Sequence, residues 1–156
     1  MASFTKRTYT SFGQFWKDLC ALRSAGKNMR GISPAFRERL ILAVTAVNQC
    51  RYCAFVHTRA ALKSGVSKEE VTGLFSGVFE NIPEAERVAV LYAQHWAETK
   101  GNPEADAVAR LDEAYPPETV AAINATITLI NFNNLCGNTF DRTLHLLSFG
   151  LLGGGK

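Results

Sequence analysis

Glu38-Arg39-Leu40-Ile41-Leu42-Ala43-Val44-Thr45-Ala46-Val47-Asn48-Gln49-Cys50-Arg51-Tyr52-Cys53-Ala54-Phe55-Val56-His57 is the stretch that decides how this chain is read. Leu40, Ile41, Val44 and Val47 recur at the spacing of an apolar stripe along a helix. Asn48-Gln49 is a break. A new helix is expected from about Arg51 to Ser64, stopped by Gly65, which suits a left-handed C-terminal cap. Upstream, Ser33-Pro34 opens the stripe-bearing helix, with serine as N-cap and proline at the first helical position.

The same period governs the rest. Phe12, Phe15, Trp16, Leu19 and Leu22 predict a helix from about Ser11 to Ser24, with Gly26 to Gly31 as a loop. Ser67-Lys68-Glu69-Glu70 matches a capping box and opens a helix through Val78. Pro83 opens an alanine-rich helix that ends before Gly101, and Asn102-Pro103 opens a short one. Pro116-Pro117 opens the last and longest, carrying Val120, Ile123, Ile127, Ile130 and Leu135. An interruption is expected at Gly137, before the apolar end from Leu144 to Leu152. Residues 153–156 read as a flexible tail. Strand-like alternation is nearly absent, and there is no obvious repeat or linker. The expectation is one all-α domain over residues 1–156, a bundle of six or seven helices.

Composition sets the outer limits. The 156 residues suffice for one real core, and 47% hydrophobic with 20% charged residues is ordinary for a globular protein. The net charge of +3 is scattered. The densest basic stretch, Met29 to Arg39, holds only Arg30, Arg37 and Arg39, with Glu38 among them. Nucleic-acid binders carry a stronger basic stripe and a motif, so no nucleic-acid partner is expected. No segment is long and apolar enough to span a bilayer, so no membrane role is expected. Lys6 and Arg7 are followed by no apolar run, which does not read as a secretory signal, and a cytoplasmic location is expected.

In a reducing compartment a close cysteine pair is catalytic or metal-binding more often than structural. Cys50 and Cys53 are three residues apart, and His57 lies four beyond Cys53. At about 100° per residue these three side chains fall within roughly 60° on one helix face, near its first turn. Unpaired N–H groups at a helix start favour a thiolate, and an imidazole beside the sulfur can take its proton. A second thiol can condense with a sulfenic acid, and the pair can then cycle between dithiol and disulfide. Zinc would need a fourth ligand, and with no second CxxC, no HxxxH, and Cys20, Cys136, His95 and His145 each isolated, it is a distant third reading. Cys20 and Cys136 read as core-facing or half-buried thiols on the first and last helices. His95-Trp96 reads as packing. Asn131, Asn133, Asn134 and Asn138, unusual in an apolar helix, read as interhelical hydrogen bonding or a subunit contact. Glu38 taken alone, between Arg37 and Arg39, reads as a solvated surface charge.

Glu38 to Val44, Asn48 to Cys53, His57-Thr58 and Ala60 to Ser67 together resemble the core of the AhpD-like alkylhydroperoxidases, within the carboxymuconolactone decarboxylase superfamily. The close likeness covers residues 37–71, and a looser one in helix order reaches Asn134. That family's pattern is a glutamate, a CxxC twelve residues on, and a histidine four past the second cysteine. Glu38, Cys50, Cys53 and His57 reproduce it. The resemblance implies an AhpD-like fold and a peroxidase or disulfide reductase that needs no bound cofactor and no metal. It implies Cys53 as the peroxide-attacking thiol and Cys50 as the resolving, more exposed one. His57 would be the base beside Cys53, linked to Glu38 in a proton relay. Tyr52 stands where the best-studied members carry histidine, so it is an accessory candidate that can donate a hydrogen bond but is a poor base. The implied partners are a hydroperoxide substrate and an external dithiol reductant such as a lipoyl group. The implied assembly is a homo-oligomer, a trimer or hexamer. The superfamily also includes decarboxylating lyases without the cysteine pair. A lyase or lactone-processing protein and a thiol redox sensor are therefore the alternatives.

The relay carries a geometric demand. On one continuous rod Glu38 would lie about 18 Å before Cys50 and about 28 Å before His57, at 1.5 Å per residue. No carboxylate reaches that far. The chain must fold back near Asn48-Gln49 in an αα-hairpin.

Overall fold

Ser33 stands with extended backbone and accepts the Phe36 N–H on its hydroxyl, and Pro34 follows as the first helical residue. These two residues start the helix at the centre of the computed structural model, which describes residues 6–25 and 31–153. Among the described residues there are seven helices and no strand. They are α1 (Phe12–Ala25), α2 (Pro34–Asn48), α3 (Arg51–Lys63), α4 (Lys68–Ser76), α5 (Glu84–Glu98), α6 (Ala105–Ala114) and α7 (Pro117–Leu147). The expected 26–30 loop and the end of the expected tail, 154–156, lie outside the described residues. None of the described helices is long and apolar enough to cross a membrane.

α2 is apolar on almost every side because it is surrounded. It packs against α3, α4, α5 and α7, burying Leu40, Leu42 and Val44 completely. Truncating any of these to alanine would cost about 2–5 kcal/mol. Ile123, Ile127 and Ile130 close the core from α7, and α1 lies along α7 on the outside. Arg39 is buried and not at the surface, bonded to Glu70 and Glu86. It ties α2 to α4 and α5. Glu70 also completes the capping box that starts α4, as the Ser67 pattern predicts.

Three boundaries differ from the sequence reading. α4 stops at Ser76 and not at Val78, because Gly77 adopts φ 77° and its N–H closes onto the Gly73 carbonyl. α6 begins at Ala105 and not at Asn102-Pro103, because the Asn102 side chain is spent on the carbonyls of Thr99 and Lys100 in the preceding turn. α7 runs unbroken through Gly137 for 31 residues. The glycine there serves close approach: an added Cβ would stand 3.3 Å from Cys50 Sγ.

Candidate functional site

Gln49 makes the turn on which the site depends. It adopts a left-handed conformation, φ 57° and ψ 37°, and its N–H bonds to the Thr45 carbonyl at 2.8 Å. That ends α2 and reverses the chain within one residue. Cys50 follows in extended backbone and caps α3 with its own sulfur, which accepts the Cys53 N–H at 3.4 Å. The two helices lie side by side as the αα-hairpin that the relay demands.

The fold-back sets Glu38 on α2 against His57 on α3. His57 Nδ1 and Glu38 Oε2 are 2.8 Å apart. Both side chains are largely enclosed, at 24% and 13% exposure. A carboxylate only accepts, so Nδ1 carries the proton and Nε2 keeps its lone pair in the neutral ring. Cys53 sits one turn before His57 on the same face of α3.

Cys50 and Cys53 are free thiols with their sulfurs 2.6 Å apart. The sequence reading made Cys50 the more exposed sulfur, and the structure reverses this. Cys50 is buried, 2% exposed, and Cys53 is half-buried. The reason lies on α7, where Gly137 leaves a gap in which the Cys50 sulfur sits.

The two sulfurs are electrostatically unequal. The hydrogen bond from the Cys53 thiol lowers Cys50, and the backbone donors of Cys53 and Tyr52 and the Lys6 ammonium assist; burial opposes them, and the Cys50 pKa settles at about 6. Cys53 is pushed up, first by giving that hydrogen bond, then by burial and by the charge on Cys50, while a hydrogen bond from the Asn134 side chain opposes the rise. The pair therefore holds one proton between two sulfurs over a wide pH range, with the charge resting on Cys50.

Further residues of α7 hold the hairpin turn and its flank. Asn134 and Asn138 are fully buried on α7 and bind the hairpin turn. Asn48 Nδ2 donates to Asn134 Oδ1 at 3.2 Å, and Asn138 Nδ2 donates to the Asn48 carbonyl at 2.7 Å. The interhelical reading of the asparagines holds for these positions. Their spacing of four residues was the available signal, but nothing local tied Asn134 to a sulfur. Asp141, one turn beyond Gly137, holds Lys6 at 2.8 Å and Arg51 at 3.0 Å.

Tyr52 is 76% exposed, and among the described residues its side chain joins no hydrogen bond; its backbone N–H is what serves Cys50. Cys20 is exposed and not core-facing, since it falls on the outer side of α1, and Cys136 is half-buried as expected. His95 pairs with Glu104 at the surface, while Trp96 packs on the core. Among the described residues no group of three or more histidine, cysteine or acidic side chains is arranged to hold a metal ion.

A family model described as "Carboxymuconolactone decarboxylase family" matches residues 12–114, about two thirds of the chain, from the first residue of α1 to the last of α6. No curated protein and no solved structure matches.

Proposed function

The chain belongs to the carboxymuconolactone decarboxylase family, and from that premise we propose that it is a thiol-dependent oxidoreductase that reduces hydroperoxides through Cys50 and Cys53. The observation that carries this reading is the pair of sulfurs 2.6 Å apart, one turn from an imidazole held by a carboxylate. A lyase has no need of a second thiol within condensing distance of the first.

The proposed cycle starts from the dithiol that shares one proton. His57 Nε2 takes that proton from Cys53 as the Cys53 sulfur attacks the outer oxygen of a hydroperoxide. The O–O bond breaks, the sulfur becomes a sulfenic acid, and the leaving alkoxide takes the proton back from His57 to depart as an alcohol. Cys50, already a thiolate, attacks the sulfenic sulfur. The S–O bond breaks, water leaves once the oxygen gains a proton, and a disulfide remains. An external dithiol, of which a lipoyl group is one, reduces the disulfide by two exchange steps and is itself oxidised. Glu38 acts through His57: it fixes the ring and favours the imidazolium that forms on attack.

Exposure fits this division of labour. Half-buried Cys53 is the sulfur that a peroxide reaches, and buried Cys50 needs only to reach Cys53. The proposal places the protein in a reducing compartment, the cytoplasm, where free thiols persist. It also includes assembly into a trimer or hexamer, for which the exposed rings of Phe12, Trp16 and Phe140 are the supporting feature.

The test is consumption of a hydroperoxide by the reduced protein with dihydrolipoamide and with other thiols as donors. Turnover with any dithiol supports the proposal, and none with any donor overturns it. The family match supports a second reading, a lactone-processing lyase. Lactone activity that survives replacement of both cysteines would establish that reading instead.

A further inference from the structure

Residues 6–10 run as a strap across α7, at the end of the hairpin that carries Cys50. The Arg7 carbonyl accepts Asn138 Nδ2 at 2.8 Å, and the same nitrogen donates to the Asn48 carbonyl at 2.7 Å. The Tyr9 N–H donates to Thr139 Oγ1 at 2.9 Å. These ties lay Lys6 on Asp141, with Nζ and Oδ2 2.8 Å apart, and Arg51 reaches the other oxygen of that carboxylate at 3.0 Å. Asp141 stands one turn beyond Gly137, against which the Cys50 sulfur rests, and Arg51 directly follows Cys50 in the chain. Two cations and one carboxylate thus meet at the Cys50 end of the hairpin, with a net positive charge. The Lys6 and Asp141 side chains are largely enclosed, so little water screens that charge.

The remaining titratable group at this end is Cys53. His57 and Glu38 are paired with each other further along the hairpin, and α2 ends in the neutral side chains of Asn48 and Gln49. In the resting dithiol the strongest support for charge on Cys50 is the hydrogen bond from the Cys53 thiol. The proposed cycle removes that support, because the S–H is gone once the Cys53 sulfur carries an oxygen. Cys50 still has to be a thiolate at that moment, since the thiolate and not the thiol attacks a second sulfur. What remains is the backbone N–H groups of Cys53 and Tyr52, and one side-chain cation, Lys6.

We propose, resting on the hydroperoxide reading of the dithiol, that Lys6 is a positioning residue for the resolving step. Held on Asp141 by the strap, it keeps Cys50 charged while Cys53 is a sulfenic acid. The Cys50 sulfur then attacks the Cys53 sulfur, the S–S bond forms, the S–O bond breaks, and the departing hydroxide takes a proton from solvent to leave as water. Lys6 gives up no proton and touches no substrate. Its part is to hold a positive charge beside the attacking sulfur after the Cys53 proton has gone.

Two measurements test this. Cys53→Ala takes away the S–H donor for good, and thiolate absorbance at 240 nm against pH then reads Cys50 by itself. In that background Lys6→Met, which keeps the aliphatic stem, should lower the proton dissociation constant of Cys50 by about threefold, and Lys6→Arg should restore it. Asp141 keeps Arg51 as its cation in Lys6→Met, so no carboxylate is stranded and the fold is expected to hold. With both cysteines present, stopped-flow mixing with one equivalent of peroxide should show the first attack in Lys6→Met within about twofold of the parent. Disulfide closure should be about threefold slower, most at low pH and not at all where Cys50 is fully ionised in both proteins. A Cys50 titration unmoved by Lys6→Met, an equal shift in Lys6→Arg, or closure slowed alike at every pH would each overturn the inference. The titration needs no peroxide, so a parent that consumes none would overturn the hydroperoxide reading and leave the effect of Lys6 on Cys50 standing.

Discussion

The molecule holds two histidine–glutamate pairs, and the contrast between them says what makes such a pair useful. His57–Glu38 bridges two helices of a hairpin and is largely enclosed. His95–Glu104 joins the last turn of α5 to the start of α6 at the surface, with the two side chains 35% and 63% exposed. The enclosed pair keeps its electrostatic strength because little water screens it, and the surface pair loses much of its own. The enclosed imidazole also has a thiol one turn away on its own helix, whereas α5, which carries the surface one, has no cysteine. In the proposed cycle an enclosed pair is of use only because a thiol stands next to it.

The largest expected effect tests that neighbour. Cys53→Ser should lower peroxide turnover by about three orders of magnitude or more. Cys50→Ser should still consume one equivalent and then stall. Stopped-flow mixing with one equivalent of peroxide separates the two, and a full-speed first reaction in Cys53→Ser would transfer the attacking role to Cys50.

The comparison itself is broken or sharpened by paired substitutions. Glu38→Gln should slow the first reaction by about 10²-fold with an unchanged circular dichroism spectrum. Glu104→Gln should leave the rate within about twofold. Equal loss in both variants would mean that Glu38 acts on stability and not on His57.

A smaller effect concerns the unequal sulfurs. Thiolate absorbance at 240 nm should show one proton leaving the reduced pair near pH 6, by the lowered Cys50 value, and the second only far above neutrality. The sign for stability follows. Below about pH 6 the Cys50 position is a thiol in both folded and unfolded chains and contributes nothing. Between about 6 and the ordinary value of 9.0 only the unfolded chain keeps the proton, so stability rises with pH. Above 9.0 the contribution is complete and constant. The melting temperature of the reduced protein should thus climb across that window relative to the oxidised protein, whose sulfurs do not titrate.

Smaller still is Gly137→Ala. A mid-helix alanine gains about 1 kcal/mol in propensity, but its methyl would press on the Cys50 sulfur from 3.3 Å. The urea midpoint should move little while disulfide closure slows a few-fold. A clean gain in stability with unchanged closure would show that α7 yields at no cost to the site. The smallest expected effect is in Cys20→Ser/Cys136→Ser, which should turn over as the parent does.

The pattern of what could be read in advance is physical. Cys50, Cys53 and His57 were legible from their spacing on one helix, whereas Glu38, a surface charge when read alone, was tied to His57 only by the family resemblance. The turn was legible as a break, although a left-handed Gln49 was not, since glycine or asparagine is the usual occupant. The burial of Cys50 was not legible, because it depends on α7, nearly 90 residues away. Gly137 was misread as a helix break for the same reason. The burial of Arg39 was not legible, because both its partners, Glu70 and Glu86, come from other helices.

The one-residue reversal at Gln49 has a consequence for how the protein comes into being. Glu38 and His57 are only 19 residues apart in sequence, so their pairing closes a short loop. The entropy of closing a loop grows slowly with its length, and contacts of low sequence separation form soonest. The imidazole, its carboxylate and both sulfurs can therefore assemble as a local nucleus while the chain is still being made. The contacts of Asn134, Asn138 and Gly137 with that hairpin, which bury Cys50, wait for the last helix to be synthesised. The nascent chain should thus pass through a stage at which its dithiol is already formed and still open to oxidants, and α7 is the element that ends it.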